Sequence, residues 1–218
     1  MNVLNRVVAL ARLAIRFEIG VWRSLYFLVR RRDPGASPRS ERFTYVKAVE
    51  LIYWVFIIVS AIEVPIAHML VPWEPVKYAL LALGFWGLMW MIGMLAAYKV
   101  HTHLVEPAAL RLRNGFAHDI SIPWESIASV AIRERTRGGS RGVQLDATDG
   151  GVLLQVVVSG RTNVDLALLE PIMVVLPREA QTVTAVRFFA DDPRALVKRV
   201  RTNLAELGRV TSHLDGPA

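Results

Sequence analysis

The apolar and polar positions divide the chain into regions of different periodicity. Two apolar stretches, at about 48–71 and 76–98, are separated only by the turn at 72–75. Each holds about 20 residues, the length at which a continuous helix crosses the roughly 30 Å hydrocarbon core of a bilayer. The pattern therefore predicts a hairpin of two membrane-spanning helices within residues 44–100.

Residues 1–32, ahead of the hairpin, follow helical periodicity with one basic side. At 100° per residue, a narrow stripe of about 40° holds Asn5, Arg12, Arg16, Arg23 and Arg30. A broad apolar arc lies opposite, which is typical of a helix in the membrane interface. We therefore predict an amphipathic interfacial helix whose membrane-facing basic residues are Arg12, Arg16, Arg23, Arg30, Arg31 and Arg32. Glu18 falls within the apolar arc, so packing of the helix on protein is the alternative.

The distribution of basic residues predicts the orientation. Segment 1–47 carries ten arginines and lysines against three acids, whereas the turn between the spans offers only Lys77. Basic flanks stay on the cytoplasmic side of a membrane. Both termini are therefore expected in the cytoplasm, with the chain crossing the inner (plasma) membrane twice. Aromatic residues near the span ends, Tyr45 among them, suit the membrane–water interfaces.

Polar and small residues inside the spans are candidate intramembrane contacts. Glu63 lies about 18 Å into the first span, where an ionised carboxylate is costly. It is predicted to be either a protonatable group or partner contact, or a carboxyl hydrogen-bonded to the second helix or the outer interface. Gly84 and Gly87 in the second span offer a flat strip for close helix packing, within the hairpin or in an oligomer.

From about residue 101 the periodicity changes to two. The alternation predicts about seven strands, with Asn114-Gly115 as a hairpin turn. A closing helix is predicted from about Pro193 to Leu207, with Asp191 or Asp192 as its cap.

These elements predict an α+β membrane protein in which a barrel or sandwich of strands is closed by a C-terminal helix. The predicted parts are an interfacial helix at 1–32, a linker at 33–43, the hairpin at 44–100, a cytoplasmic strand-rich domain at 101–207 and a disordered tail at 208–218.

Three stretches of the strand-rich region resemble bacterial pleckstrin-homology-like (PH-like) domains found beside membrane hairpins. They are the strand and turn Ala109–Gly115, the stretch Ile120–Val130 with its I-P-W-x-x-I-x-x-V pattern, and the strand-to-helix segment Val186–Val197. The resemblance covers about residues 100 to 207. It implies a PH-like fold in a membrane setting, with no shared catalytic residues and no assumed phosphoinositide site.

A basic loop interrupts this region. Its arginines are Arg133, Arg135, Arg137 and Arg141. The loop is predicted either to bind an anionic headgroup or a partner, or to be a solvated hairpin.

The residues give no support to catalysis. Because the chain has no cysteine, disulfides, thiolate metal sites and cysteine nucleophiles are excluded. His101, His103 and His118 are weak candidates for a metal site, and no HExxH motif accompanies them. No cofactor is predicted. The net charge of +7 permits nucleic-acid binding, but no nucleic-acid motif is present, so the charge is assigned to lipid.

The sequence therefore predicts a membrane-anchored, non-enzymatic module. It presents a PH-like domain at the inner leaflet to a protein or lipid partner that the residues do not identify. The alternative is an accessory subunit of a larger transport or cell-envelope assembly, which contacts its partners through the hairpin.

Overall fold

The computed structural model describes residues 3–136, 142–148, 150–176 and 180–214. They form two compact units. One is helical and comprises the chain up to residue 34 together with residues 49–100. The other is rich in strands and comprises residues 35–48 together with the chain from residue 101.

The described part of the helical unit contains three helices: α1 (Val3–Val29), α2 (Lys47–Leu70) and α3 (Glu74–Val100). Both α2 and α3 are long and apolar enough to cross a membrane. Their bounds lie within about three residues of those that the apolar pattern predicts, because the turn at 72–75 carries two prolines that favour a break there.

The C-terminal half of α1 packs on α3, whereas residues 7–16 are exposed on every side. Val21 is completely buried. A Cβ atom added to Gly93 would lie 2.4 Å from Val21 Cγ1 and 3.2 Å from the Val21 carbonyl oxygen. Gly93 thus lets the two backbones approach closely. Two ring contacts extend the interface, with centroids 5.7 Å apart for Phe17 and Trp90, and 5.4 Å apart for Trp22 and Trp86.

Glu18 has a specific role in this packing. The Trp22 indole N–H donates a hydrogen bond of 2.8 Å to Glu18 Oε1, while the Trp22 ring lies against Trp86. An acid within the apolar arc is therefore explained by a contact with protein. The interfacial position of the exposed half of α1 stays a prediction.

The described part of the strand-rich unit contains nine strands in two sheets. They are β1 (Glu41–Phe43), β2 (His103–Val105), β3 (Ala109–Asn114), β4 (His118–Pro123), β5 (Ile127–Thr136), β6 (Val143–Thr148), β7 (Gly151–Val156), β8 (Arg161–Val175) and β9 (Ala180–Phe188). The first sheet has the antiparallel order β1-β2-β3-β4, and the second has the order β5-β8-β9-β7-β6 with β7 parallel to β9. The sheets form an open sandwich rather than a closed barrel.

The hairpin is inserted between two paired strands. β1 precedes α2 and β2 follows α3, yet Phe43 pairs with His103 and Glu41 with Val105. Residues 33–43, predicted to be a linker, therefore contribute a strand to the sheet. This strand was not predicted because three residues are too few to show a period of two.

The strand count exceeds the predicted seven for two reasons. β1 was not predicted, and the stretch from residue 103 to 114 forms two strands rather than one. Pro107, which has no backbone N–H to donate, lies in the turn between β2 and β3. β8 is a single long strand that keeps its pairing with β9 across a bulge between Ala167 and Ile172.

The residues that carried the family resemblance lie in the core. The hydrophobic core includes Ile122, Trp124, Ile127 and Val130. The Trp124 indole N–H donates to the Glu106 carbonyl oxygen at 2.9 Å, which satisfies the polar group of a ring that is only 2% exposed. The turn at Asn114-Gly115 is also confirmed, with Asn114 paired to His118 and Gly115 at φ 55°.

The closing helix α4 (Pro193–Leu214) covers the core. Five of its apolar residues pack there: Leu196, Val197, Val200, Leu204 and Leu207. Asp192 caps it by accepting the Ala195 N–H at 2.9 Å. Its neighbour Asp191 instead accepts the N–H of Lys47, the first residue of α2, at 3.0 Å. α4 continues past Leu207, so residues 208–214, predicted to belong to a tail, are helical.

Gly93→Ala is expected to push α1 away from α3, since the new methyl group would overlap Val21. Overpacking of this kind costs about 1–3 kcal/mol. Limited trypsin digestion of the full chain in detergent should then cut after Arg23 several-fold faster. Gly87→Ala is the matched control, because no atom lies within 4 Å of a Cβ at that position. Equal cutting rates in the two variants would contradict the α1–α3 packing.

Candidate functional site

The first sheet is built around one buried histidine. His103 in β2 is completely buried, and its Nδ1 accepts the backbone N–H of Arg113 at 3.1 Å. Its Nε2 therefore carries the proton and donates to the Phe189 carbonyl oxygen at 2.9 Å. Burial lowers the pKa of His103 to about 4. With both ring nitrogens in backbone hydrogen bonds, His103 is a structural residue rather than a metal ligand.

Tyr45 completes this cluster. Its ring stacks on His103 with centroids 4.6 Å apart, and its hydroxyl accepts the Gly115 N–H at 2.7 Å. The side chain is fully buried. The prediction that Tyr45 lies at a membrane interface is thus wrong. The signal at the sequence level was ambiguous because an aromatic residue before an apolar span suits either environment.

A buried amide lies close to this cluster, since its partner Ala190 directly follows Phe189. Asn163 in β8 accepts the backbone N–H of Ala190 at 2.9 Å and donates to the carbonyl oxygen of the same residue at 2.7 Å. The side chain thereby satisfies both backbone groups of Ala190 just before α4 begins. Buried polar groups paired in this way contribute to a unique arrangement of the core.

Ionic contacts along β3 and β4 lie near the segment that precedes β1. Arg111 Nε donates to Asp119 Oδ1 at 3.1 Å, and its Nη1 donates to the Gly35 carbonyl oxygen at 3.0 Å. The hydrogen bond to Asp119 is the main reason that the pKa of Arg111 is raised. Arg113 is 2% exposed and has its Nε 3.4 Å from Asp119 Oδ2. These contacts hold residue 35 on the sheet.

A surface groove of about 400 Å³ lies beside α4. Its walls come from the β2–β3 turn, the turn after β4, α4 and the segment before β1. The charged and amide residues that line it are Arg39, Glu106, Arg199, Asn203 and Glu206, and Trp124 forms part of the apolar wall. Arg199 Nε also lies 2.8 Å from Glu41 Oε2. The groove therefore presents both signs of charge.

Sequence reasoning missed this groove. Its lining comes from four segments separated by up to about 170 residues, so no local pattern connects them. The only local signal was on α4, where Arg199, Asn203 and Glu206 recur at intervals of four and three and therefore share a face.

The predicted basic loop is only partly described. Arg133 and Arg135 are exposed on β5, whereas Arg137 and Arg141 lie outside the described residues. Arg135 Nη2 is 3.4 Å from Asp165 Oδ2, and Arg187 Nε is 3.3 Å from Asp165 Oδ1. Arg135 thus has a structural partner on β8, and a role for the loop in anion binding stays a prediction.

The arginines predicted to face lipid are spread along α1 and the residues that follow it. Arg12, Arg16, Arg23 and Arg30 are exposed. Two lie over aromatic rings of their own helix, Arg23 over Phe27 at 5.3 Å and Arg30 over Tyr26 at 5.5 Å. Arg31 and Arg32 follow the end of α1 and are also exposed. A position of these residues on lipid stays a prediction.

The residues predicted for intramembrane contact do come together. A cavity of about 360 Å³ in the helical unit is lined by Ser60, Glu63, Gly84, Gly87 and Trp90, among others. The two glycines differ: a Cβ on Gly84 would lie 2.5 Å from Val64 Cγ2, whereas Gly87 has no atom within 4 Å of that position. Gly84 is therefore used for packing between α2 and α3, and Gly87 is open.

Metal ligation finds no support in the described part of the chain. No three side chains of His, Asp or Glu lie together there as a metal site would require. The three candidate histidines, His101, His103 and His118, do not form such a cluster. His118 lies at the start of β4, where burial lowers its pKa.

One comparison with known proteins found a similarity in the strand-rich unit. Residues 104–204 match the family model described as "Bacterial PH domain". The match begins within β2 and ends within α4, and so covers both sheets except β1. No curated protein and no solved structure matches the chain.

The pKa of His103 predicts a loss of stability in acid. The unfolded chain takes up a proton at His103 near pH 6.5, whereas the folded chain does so only near pH 4. The unfolded state binds more protons between these values, so the free energy of unfolding falls as the pH falls through this window. The full shift corresponds to about 3 kcal/mol.

Urea unfolding of the full chain in detergent, followed by tryptophan fluorescence at pH 7 and pH 4.5, measures this effect. His103→Gln should be less stable at pH 7 but should lose less stability in acid than the unaltered chain. His118→Gln is the control and should retain most of the pH dependence. An unchanged pH dependence in His103→Gln would show that other groups cause it.

Proposed function

Residues 104–204 of this chain match the family model of bacterial PH domains, and from that premise we propose that the protein is a membrane-anchored, non-enzymatic interaction module. The hairpin α2–α3 spans the inner membrane, and the PH domain binds a partner at the cytoplasmic face. The observation that carries the proposal is the insertion of two membrane-length helices between paired strands of the PH unit.

The insertion supports anchoring because it leaves no long tether. Three residues separate β1 from α2, and two separate α3 from β2. In addition, Asp191 of the PH unit accepts the first N–H of α2. A chain anchored in this way keeps its PH domain within a few residues of the spans. The basic residues of segment 1–47 favour the cytoplasmic side for both ends of the hairpin.

The groove beside α4 favours a protein as the partner of the PH domain. Glu206 would repel a phosphate headgroup, and Glu106 is paired with Arg111 at 3.2 Å, whereas a polypeptide offers both signs of charge to the mixed lining. Lipid contact is assigned to α1 instead, whose arginines face anionic headgroups.

An accessory role in a larger membrane assembly is the second candidate function. One observation favours it: Glu63 has no hydrogen-bond or ion-pair partner among the described residues, and it borders a cavity left open at Gly87. In that role the hairpin would contact the partner directly.

The orientation predicts a specific labelling pattern. Since the chain has no cysteine, single substitutions such as Trp73→Cys, Ser37→Cys and Gly208→Cys report one site each. A membrane-impermeant maleimide applied to intact bacterial cells should label Trp73→Cys only. The other two should be labelled after the cells are disrupted. Labelling of Ser37→Cys in intact cells would overturn the proposed orientation.

The exposed half of α1 is expected to lie on anionic lipid. The full chain carrying Val7→Cys with an environment-sensitive fluorophore, reconstituted in vesicles with phosphatidylglycerol, should show blue-shifted emission. Arg12→Glu with Arg16→Glu should reverse the shift, since each basic residue near such a surface contributes about 1 kcal/mol. About 0.5 M salt should weaken it as well, because screening shortens the range of the attraction.

Arg194→Glu with Lys198→Glu makes the same change of charge on α4 and is the matched control. Emission that responds neither to salt nor to the α1 charges would place this half of α1 on protein.

A further inference from the structure

The cavity between α2 and α3 has the features of a binding groove. Its volume is about 360 Å³, and its lining includes the carboxyl of Glu63, the hydroxyl of Ser60 and the ring of Trp90. Glu63 is exposed on α2, with no partner in the described part of the chain. A polar group therefore faces an open groove in the most apolar part of the molecule.

The three glycines of α3 show which face is unoccupied. A side chain at Gly84 would overlap Val64 of α2, and one at Gly93 would overlap Val21 of α1. These two positions are explained by packing within the chain. A Cβ atom added to Gly87 would have no atom within 4 Å. Gly87 borders the same cavity as Glu63.

We propose that this groove binds a transmembrane helix of another membrane protein, which carries a lysine or arginine opposite Glu63. The inference rests on the proposed function, in which α2 and α3 span the bilayer. It adds the chemistry of the partner that the hairpin recognises.

The carboxyl selects a cationic partner. An acid in the hydrocarbon region is costly unless it is paired or hydrogen-bonded, and intramembrane acids accordingly face protein interiors or cavities. Glu63 is seven residues, or about 10 Å, from the end of α2 at Leu70, which places it well inside the span. A basic side chain on a neighbouring helix would neutralise it.

The open position at Gly87 favours a helix over a small molecule as the ligand of the groove. Small residues at an interface let two helix backbones approach closely, which strengthens packing and shortens the distance between polar side chains. Gly87 would provide this approach directly beside Glu63, and Trp90 would lie one turn further along α3.

A second copy of this chain does not supply the required cation from its spans. Between residues 51 and 98 the only lysine or arginine is Lys77, in the first turn of α3. It lies ten residues, or about 15 Å, from Gly87 along the helix. Lys47 and Lys99 lie at the opposite end of the two helices from Leu70, so the proposal commits to a different protein as the partner.

Synthetic transmembrane peptides test the proposal without knowledge of the natural partner. The full-length chain is reconstituted in vesicles with a leucine-alanine host peptide that carries one central lysine, or leucine at the same position. Energy transfer between fluorophores on the two molecules measures association. The lysine peptide is expected to associate at least about threefold more tightly, a typical effect for a polar contact between membrane helices.

Glu63→Gln should abolish this preference while keeping the shape of the side chain, and Gly87→Leu should weaken association of both peptides by filling the groove. Glu74→Gln, at the start of α3, and Ala82→Leu, outside the cavity lining, are the matched controls and should change neither result.

The outcomes separate the two proposals. Failure of Trp73→Cys to label from outside would overturn the membrane-spanning hairpin itself. Correct labelling combined with equal association of the two peptides would overturn only the groove. Self-association of the chain that is lost in Glu63→Gln would assign the groove to a second copy and would equally overturn the proposal.

Discussion

The pairing of Glu41–Phe43 with His103–Val105 is the constraint on which the structure depends. It makes the strand-rich unit discontinuous in sequence, with the whole hairpin inserted between two neighbouring strands. The same pairing brings Tyr45 to His103, so the buried stack exists only when both segments are in place. Because β1 is only three residues long, the side chains around it supply much of the stability of the junction.

Polar groups with exact backbone partners surround that junction. His103 bridges Arg113 and Phe189, Asn163 pairs with Ala190, and Asp191 accepts the first N–H of α2. A buried group that loses its partner is costly, so these contacts favour one arrangement of the segments over any looser one. A fold in which hydrophobic contacts alone joined the two segments would specify their register less precisely.

The elements that were predictable from the sequence are those with a long repeat of one kind. Local sequence patterns are enough to predict the apolar runs of α2 and α3, the apolar stripe on α4 and the Asn114-Gly115 turn. The stripe on α4 consists of Leu196, Val197 and Val200. β1 did not, because its partner lies about 60 residues away. The groove beside α4 could not be predicted for the same reason, and the different uses of Gly84 and Gly87 depend on which neighbour occupies each face.

The interruption of the strand-rich unit also has a consequence for synthesis. β1 is synthesised before the hairpin. Roughly 60 further residues must be made before its partner strand β2 is available. Contacts between distant residues form late, so the sheet closes only after both spanning helices have been made. In the proposed topology, membrane insertion thus precedes completion of the domain. A domain expressed from residue 101 onward would lack β1 and Tyr45, leaving β2 as an unprotected edge.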